Sequence, residues 1–78
     1  MIFLIEYDRN RGNIVTIRKF DNSEQGKAEE SRLSMELELN RLGTKREVVL
    51  LEAASEKALR RTHRRYFENL SELVVSHV

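Results

Sequence analysis

Seventy-eight residues make one domain spanning 1–78, with no room for a second hydrophobic core. Hydrophobic residues make up 40% of the chain and charged ones 35%, with a net charge of +1, a balance that suits a folded domain and excludes a disordered polyelectrolyte. There is no cysteine, which excludes disulfide-stapled scaffolds and thiolate metal centres, and no apolar run approaches the roughly 20 residues that span a bilayer.

Met1–Ile5 is apolar but short, has no basic segment before it and runs into Glu6, so it does not read as a signal peptide. A cytoplasmic protein without membrane contact is the expectation. Residues 1–7 and 14–20 are rich in β-branched and aromatic side chains, as strands are. Between them, Asp8, Asn10, Gly12 and Asn13 supply the residue types that tolerate the left-handed angles of a hairpin loop. Asp21-Asn22-Ser23 offers N-caps for a first helix, with Asp21 and Glu24 at capping-box spacing, and Gly43 stops that helix after Leu42. Arg46–Ala53 is too short an apolar run for a helix and carries Val48 and Val49, so it reads as a third strand. Ser55 caps a second helix expected to run to about Leu70. Ser71–Val78 reads either as its continuation or as a short edge strand.

The element order is therefore ββαβα, an α+β domain. A right-handed crossover over the hairpin gives an antiparallel or mixed sheet in the order 2-1-3, with both helices packed on one face. This topology resembles half of a ferredoxin-like sandwich, a likeness of fold that carries no function.

For a tight or four-residue hairpin loop, odd positions of strand one share a face with even positions of strand two. One face then carries Ile2, Leu4, Val15 and Ile17, and the other Phe3, Ile5, Tyr7, Ile14, Thr16, Arg18 and Phe20. Strand three is apolar on both sides. A sheet covered on one face only should be polar on the other, and this one is not. Helix one repeats the surplus: Ala28, Met35, Leu39 and Leu42 form one stripe, while Leu33 and Leu37 lie opposite. The expectation is a homodimer whose interface uses Phe3, Ile5, Tyr7, Phe20, Leu33 and Leu37, with sheet packed on sheet.

The segment KALRRTHRR places Lys57, Arg60, Arg61, Arg64 and Arg65 in one sector of helix two, opposite Leu59, Tyr66 and Phe67. The topology adds Arg9, Arg11, Lys45 and Arg46 to a common rim, a surface for an anionic partner through charge and bidentate hydrogen bonds. That partner is either a nucleic acid or an acidic protein. The competing reading is a solvated face, or one paired with the acidic helix one, where Glu24, Glu29, Glu30, Glu36 and Glu38 outnumber Lys27, Arg32 and Arg41.

Two further readings follow from other residues. Phe3, Tyr7 and Phe20 with Arg18 sketch a sheet on which single-stranded bases stack, although the recognition-sheet signature of an RRM is absent. His63 near the apolar sector suggests a ferredoxin-like enzyme with a site between protomers, against the plainer reading of a half-buried, hydrogen-bonded histidine. His77 has no partner at metal-ligand spacing. Glu6 and Glu52 read as solvated strand ends. There is no phosphate-binding glycine loop and no nucleophile–base pair, so the expectation is a non-enzymatic binding or regulatory domain without cofactor or metal.

Overall fold

The structure is a computed structural model that describes residues 1–67; the expectations for Leu70, for the Ser71–Val78 tail and for His77 lie outside the described residues. Strand β1 (Ile2–Asp8) is followed by β2 (Asn13–Phe20), helix α1 (Gln25–Leu42), β3 (Glu47–Glu52) and helix α2 (Glu56–Thr62). Short 3-10 turns at Asn22–Glu24 and Arg64–Tyr66 precede α1 and follow α2. The sheet is antiparallel in the order β2-β1-β3, as expected.

Local chemistry explains the turns. Asp8 Oδ1 accepts from the amides of Asn10 and Arg11 at 2.9 and 3.2 Å, and Gly12, at φ 69°, donates to the Asp8 carbonyl at 2.8 Å. Only glycine takes that left-handed angle cheaply. Gly43 closes α1 at φ 71°, its amide bonding to Asn40 O while Thr44 N bonds to Leu39 O at 2.9 Å, the paired bonds of a Schellman cap. Glu24 accepts from the Asp21 amide at 3.0 Å, and Ser55 Oγ accepts from Ala58 N at 3.1 Å.

The hairpin starts in the expected register, with Asp8 opposite Asn13 and Tyr7 opposite Ile14. A bulge then inserts Val15, so Glu6 pairs with Thr16, Ile5 with Ile17, Leu4 with Arg18 and Ile2 with Phe20. Because side chains alternate with period two, one inserted residue exchanges the faces of everything beyond it. Ile17 therefore joins Phe3, Ile5 and Tyr7, while Thr16, Arg18 and Phe20 join Ile2 and Leu4. Val15 faces neither core and is 45% exposed.

The helices lie on opposite faces of the sheet, which corrects the expectation of a single helical layer. Ile2, Leu4, Phe20 and Ala28 form one core with Met35, Val48 and Leu50 under α1. Phe3, Ile5, Leu59 and Tyr66 form a second with Ile14, Ile17, Val49, Leu51 and Phe67 under α2 and the turn that follows it. The apolar second face is thus covered within the chain. Among the described residues no helix is long and apolar enough to cross a membrane.

Leu59 is fully buried and anchors α2 to the sheet. Leu59→Ala is expected to lower stability by about 2–5 kcal/mol, whereas Leu42→Ala, at a 59% exposed position, should change it by no more than about 0.5 kcal/mol. Urea unfolding of both variants beside the parent chain checks the contrast.

Candidate anion-binding edge

The expected continuous basic helix is broken. Helix α2 ends at Thr62, His63 takes φ −124° and ψ 53°, and Arg64–Tyr66 form a 3-10 turn. The Thr62 hydroxyl donates back to Ala58 O at 3.1 Å, a local bond that competes with helix continuation. Lys57, Arg60 and Arg61 remain on α2, while Arg64 and Arg65 sit on the turn and share no helical sector with them. The break lets Tyr66 be buried against the sheet, with its ring edge-on to Tyr7 at 5.2 Å and 89°.

The antiparallel register sets Glu47, at the start of β3, opposite Tyr7 and beside the hairpin end. Glu47 Oε1 accepts from Arg65 Nη2 and from the Tyr66 hydroxyl, both at 3.0 Å, and Arg65 Nη2 also donates to the Tyr66 oxygen at 2.8 Å. Arg9 Nε approaches Glu47 Oε2 at 3.7 Å. That oxygen is buried and accepts no hydrogen bond among the described residues. The Arg65 guanidinium lies 4.4 Å from the Tyr66 ring centroid, within cation–π range. One carboxylate thus gathers two arginines and a phenol from two separate elements, the hairpin loop and the turn after α2. Burial, reinforced by the hydrogen bond to Glu47, pushes the Tyr66 phenol above its ordinary pKa, while the bond from Arg65 partly opposes this.

A second carboxylate lies on the other face. Glu6 is buried, not a solvated strand end; it pairs with Arg46 and accepts from Thr16 Oγ1 at 3.0 Å. Glu52 is exposed, as expected. Arg9, Asn10, Lys45, Arg46 and Glu47 line a hollow of about 380 Å³ at this end of the sheet. Arg11 and Lys45 are exposed and make no ion pair among the described residues. Lys57 and Arg61 are exposed on α2, and Arg60 pairs loosely with Glu56 at 3.8 Å. Of the residues expected on a rim shared by hairpin, α1–β3 loop and α2 end, Arg9, Lys45, Arg46 and Arg65 lie together at this end of the sheet. The sequence reading missed Glu47 and Glu6, which hold three of those arginines, and it read Tyr66 as core alone. Pairing strand three against strand one would have set Glu47 opposite Tyr7.

The acidic and basic helices do not pair, because the sheet separates them. Helix α1 instead satisfies its charges locally, through Lys27–Glu24 at 3.6 Å, Arg32–Glu36 at 3.8 Å and Arg41–Glu38 at 2.6 Å.

The residues expected at a sheet-to-sheet dimer interface are placed differently. Phe3 and Ile5 have no exposed surface, Tyr7 is half-buried, and Phe20 is buried on the opposite face under the Arg18 guanidinium. The bulge removed Phe20 from the face of Phe3, and α2 covered what remained, so among the described residues the sheet presents no open aromatic platform for base stacking. Leu33 and Leu37 are exposed on the outer side of α1. His63 is half-buried and hydrogen-bonded through Nδ1 to the Thr62 hydroxyl at 2.9 Å. Among the described residues no group of His, Asp or Glu is arranged to hold a metal ion. No protein-family model, no curated protein and no solved structure matches the chain.

The raised Tyr66 pKa carries a sign for stability. The unfolded phenol ionises near pH 10 and the folded one above it, so the unfolded state binds fewer protons in that window and stability falls as pH rises through it. Absorbance titration of tyrosinate should show a late-titrating component that Tyr66→Phe removes and Glu47→Gln moves back toward the ordinary range. A Tyr66→Phe variant that retains the late component would refute the assignment.

Proposed function

We propose that the chain is a small cytoplasmic binding or regulatory domain, not an enzyme, that takes an anionic partner at the basic end of its sheet. The carrying observation is the convergence of Arg9, Lys45 and Arg46 around one hollow, with Arg65 paired to Glu47 in its lining and Arg11 on the same hairpin loop. The buried Glu6 and the half-buried Glu47 orient Arg46 and Arg65, and Glu47 draws in Arg9 more loosely, so part of the ordering cost of those side chains is met before a ligand arrives. Guanidinium forks suit phosphate and carboxylate groups, which makes a nucleic acid or an acidic protein the fitting partner. Glu6 and Glu47 offset part of this charge, and Lys45 and Arg11 stay without an ion pair among the described residues. Exposed Leu33 and Leu37 support self-association as a homodimer through α1.

Arg11→Glu/Lys45→Glu tests the edge without disturbing any ion pair among the described residues. Binding of a labelled single-stranded oligonucleotide, followed by fluorescence anisotropy, should weaken steeply with salt in the parent chain. The double reversal should cost about tenfold or more at low salt and flatten the salt dependence. Polyglutamate in place of the oligonucleotide separates the two partner classes. Affinity unchanged by the reversal, or no salt-dependent binding of either polymer, would sink the reading. Light scattering should give about twice the 9.2 kDa chain mass, and Leu33→Asp/Leu37→Asp should return the monomer.

A further inference from the structure

Beside the basic edge, the hairpin and the turn after α2 border a half-open cavity of about 180 Å³. Its walls are apolar on two sides, with Ile14 and Ile17 from β2 and Tyr66 and Phe67 from the turn. The one charged group in the lining is Arg60, whose guanidinium carbon lies 4.6 Å from the Phe67 ring centroid. We propose that this cavity binds a small free carboxylate carrying a single aromatic ring, the ring between Ile17 and Tyr66 and the carboxylate on Arg60.

Three observations select that chemistry. An apolar cavity of about 150 Å³ is large enough to admit benzene, so the volume here is enough for one six-membered ring. Isoleucine, tyrosine and phenylalanine walls give the ring apolar contact, and stacking on Phe67 holds the guanidinium at the mouth. Arg60 has one competing partner, Glu56 at 3.8 Å on the exposed side, which leaves N–H groups of its fork for a bidentate carboxylate. A polyanion on the rim needs no apolar contact; this site needs a ring and a charge together. The inference rests on the reading that this end of the molecule takes anions, and it names a ligand class for one part of it.

Benzoate, acetate and benzyl alcohol separate the two requirements. Titrated into isotopically labelled protein and followed by backbone amide shifts, benzoate should perturb Gly12, Asn13 and Phe67. It should bind at least about tenfold tighter than acetate or benzyl alcohol, the gain expected of a charge-assisted bidentate contact added to apolar burial. Arg60→Gln, at an exposed position, should bring benzoate down to the level of benzyl alcohol without altering the fold. Ile17→Phe, which fills the cavity, should abolish benzoate binding and leave oligonucleotide binding unchanged. Equal affinity for benzoate and acetate would show that the cavity contributes nothing, and an unaffected Arg60→Gln would show that the guanidinium does not hold the carboxylate. Either result overturns the inference while the oligonucleotide titration still judges the wider reading on its own.

Discussion

Strand β1 must be buried on both faces, and the rest of the structure follows from that demand. Ile2, Phe3, Leu4 and Ile5 are consecutive, so alternation sends two of them to each side of the sheet. A central strand of this composition cannot stand with one face in water. Helix α1 covers one side as the crossover from β2 to β3. The only element left to cover the other is the segment after β3, and α2 takes that place with Leu59 as its anchor. The chain thus builds two small cores that share one strand, instead of one larger core on one face of the sheet. Each side then depends on few residues, which is why Leu59 and Tyr66 matter more than their number suggests.

Much of this was legible from the chain, and what was not had identifiable causes. The strands, the hairpin loop, α1 with its glycine stop and the 2-1-3 order all rest on local signals, and each lies where those signals put it. The surplus of apolar surface was legible too, but its resolution was read as a second copy. An intramolecular cover was available in α2 and needed only a change of face, which no periodicity argument specifies. The bulge at Val15 had no local signature: Ile14-Val15-Thr16 is as β-prone as its neighbours. One inserted residue nonetheless moved Phe20, Thr16 and Arg18 to the other face, and the aromatic platform went with them.

The site was legible in its cations and not in its anions. Clusters such as KALRRTHRR announce themselves in sequence, whereas a single Glu47 or Glu6 takes on meaning only through register. Glu47 faces the hairpin end because β3 runs antiparallel to β1, and the helix break after Thr62 then delivers Arg65 and Tyr66 to it. Helix propensity favoured running on through His63, but a continued helix would have kept Tyr66 away from Tyr7 and Glu47. Tertiary burial of one aromatic ring decided the matter, as it commonly does when propensity differences are a few tenths of a kcal/mol per residue.

These placements bear on what the near-zero net charge means. A chain at +1 looks poorly suited to anions when its charges are averaged, and averaging is justified only where opposite charges are close enough to neutralise one another. The screening length in physiological salt is about 8 Å, and stacked layers of secondary structure are spaced about 10 Å apart. The sheet stands between α1 and the Glu47 cluster of Arg9 and Arg65, whereas Lys45 and Arg46 share a hollow with Glu36 of α1. The local balance then governs binding: Arg9, Lys45, Arg46 and Arg65 stand against Glu6, Glu36 and Glu47, which leaves a positive surplus. Glu6 and Glu47 lower the potential but fix the geometry of the arginines they hold. The edge therefore favours a ligand that matches a set direction over one that offers charge alone.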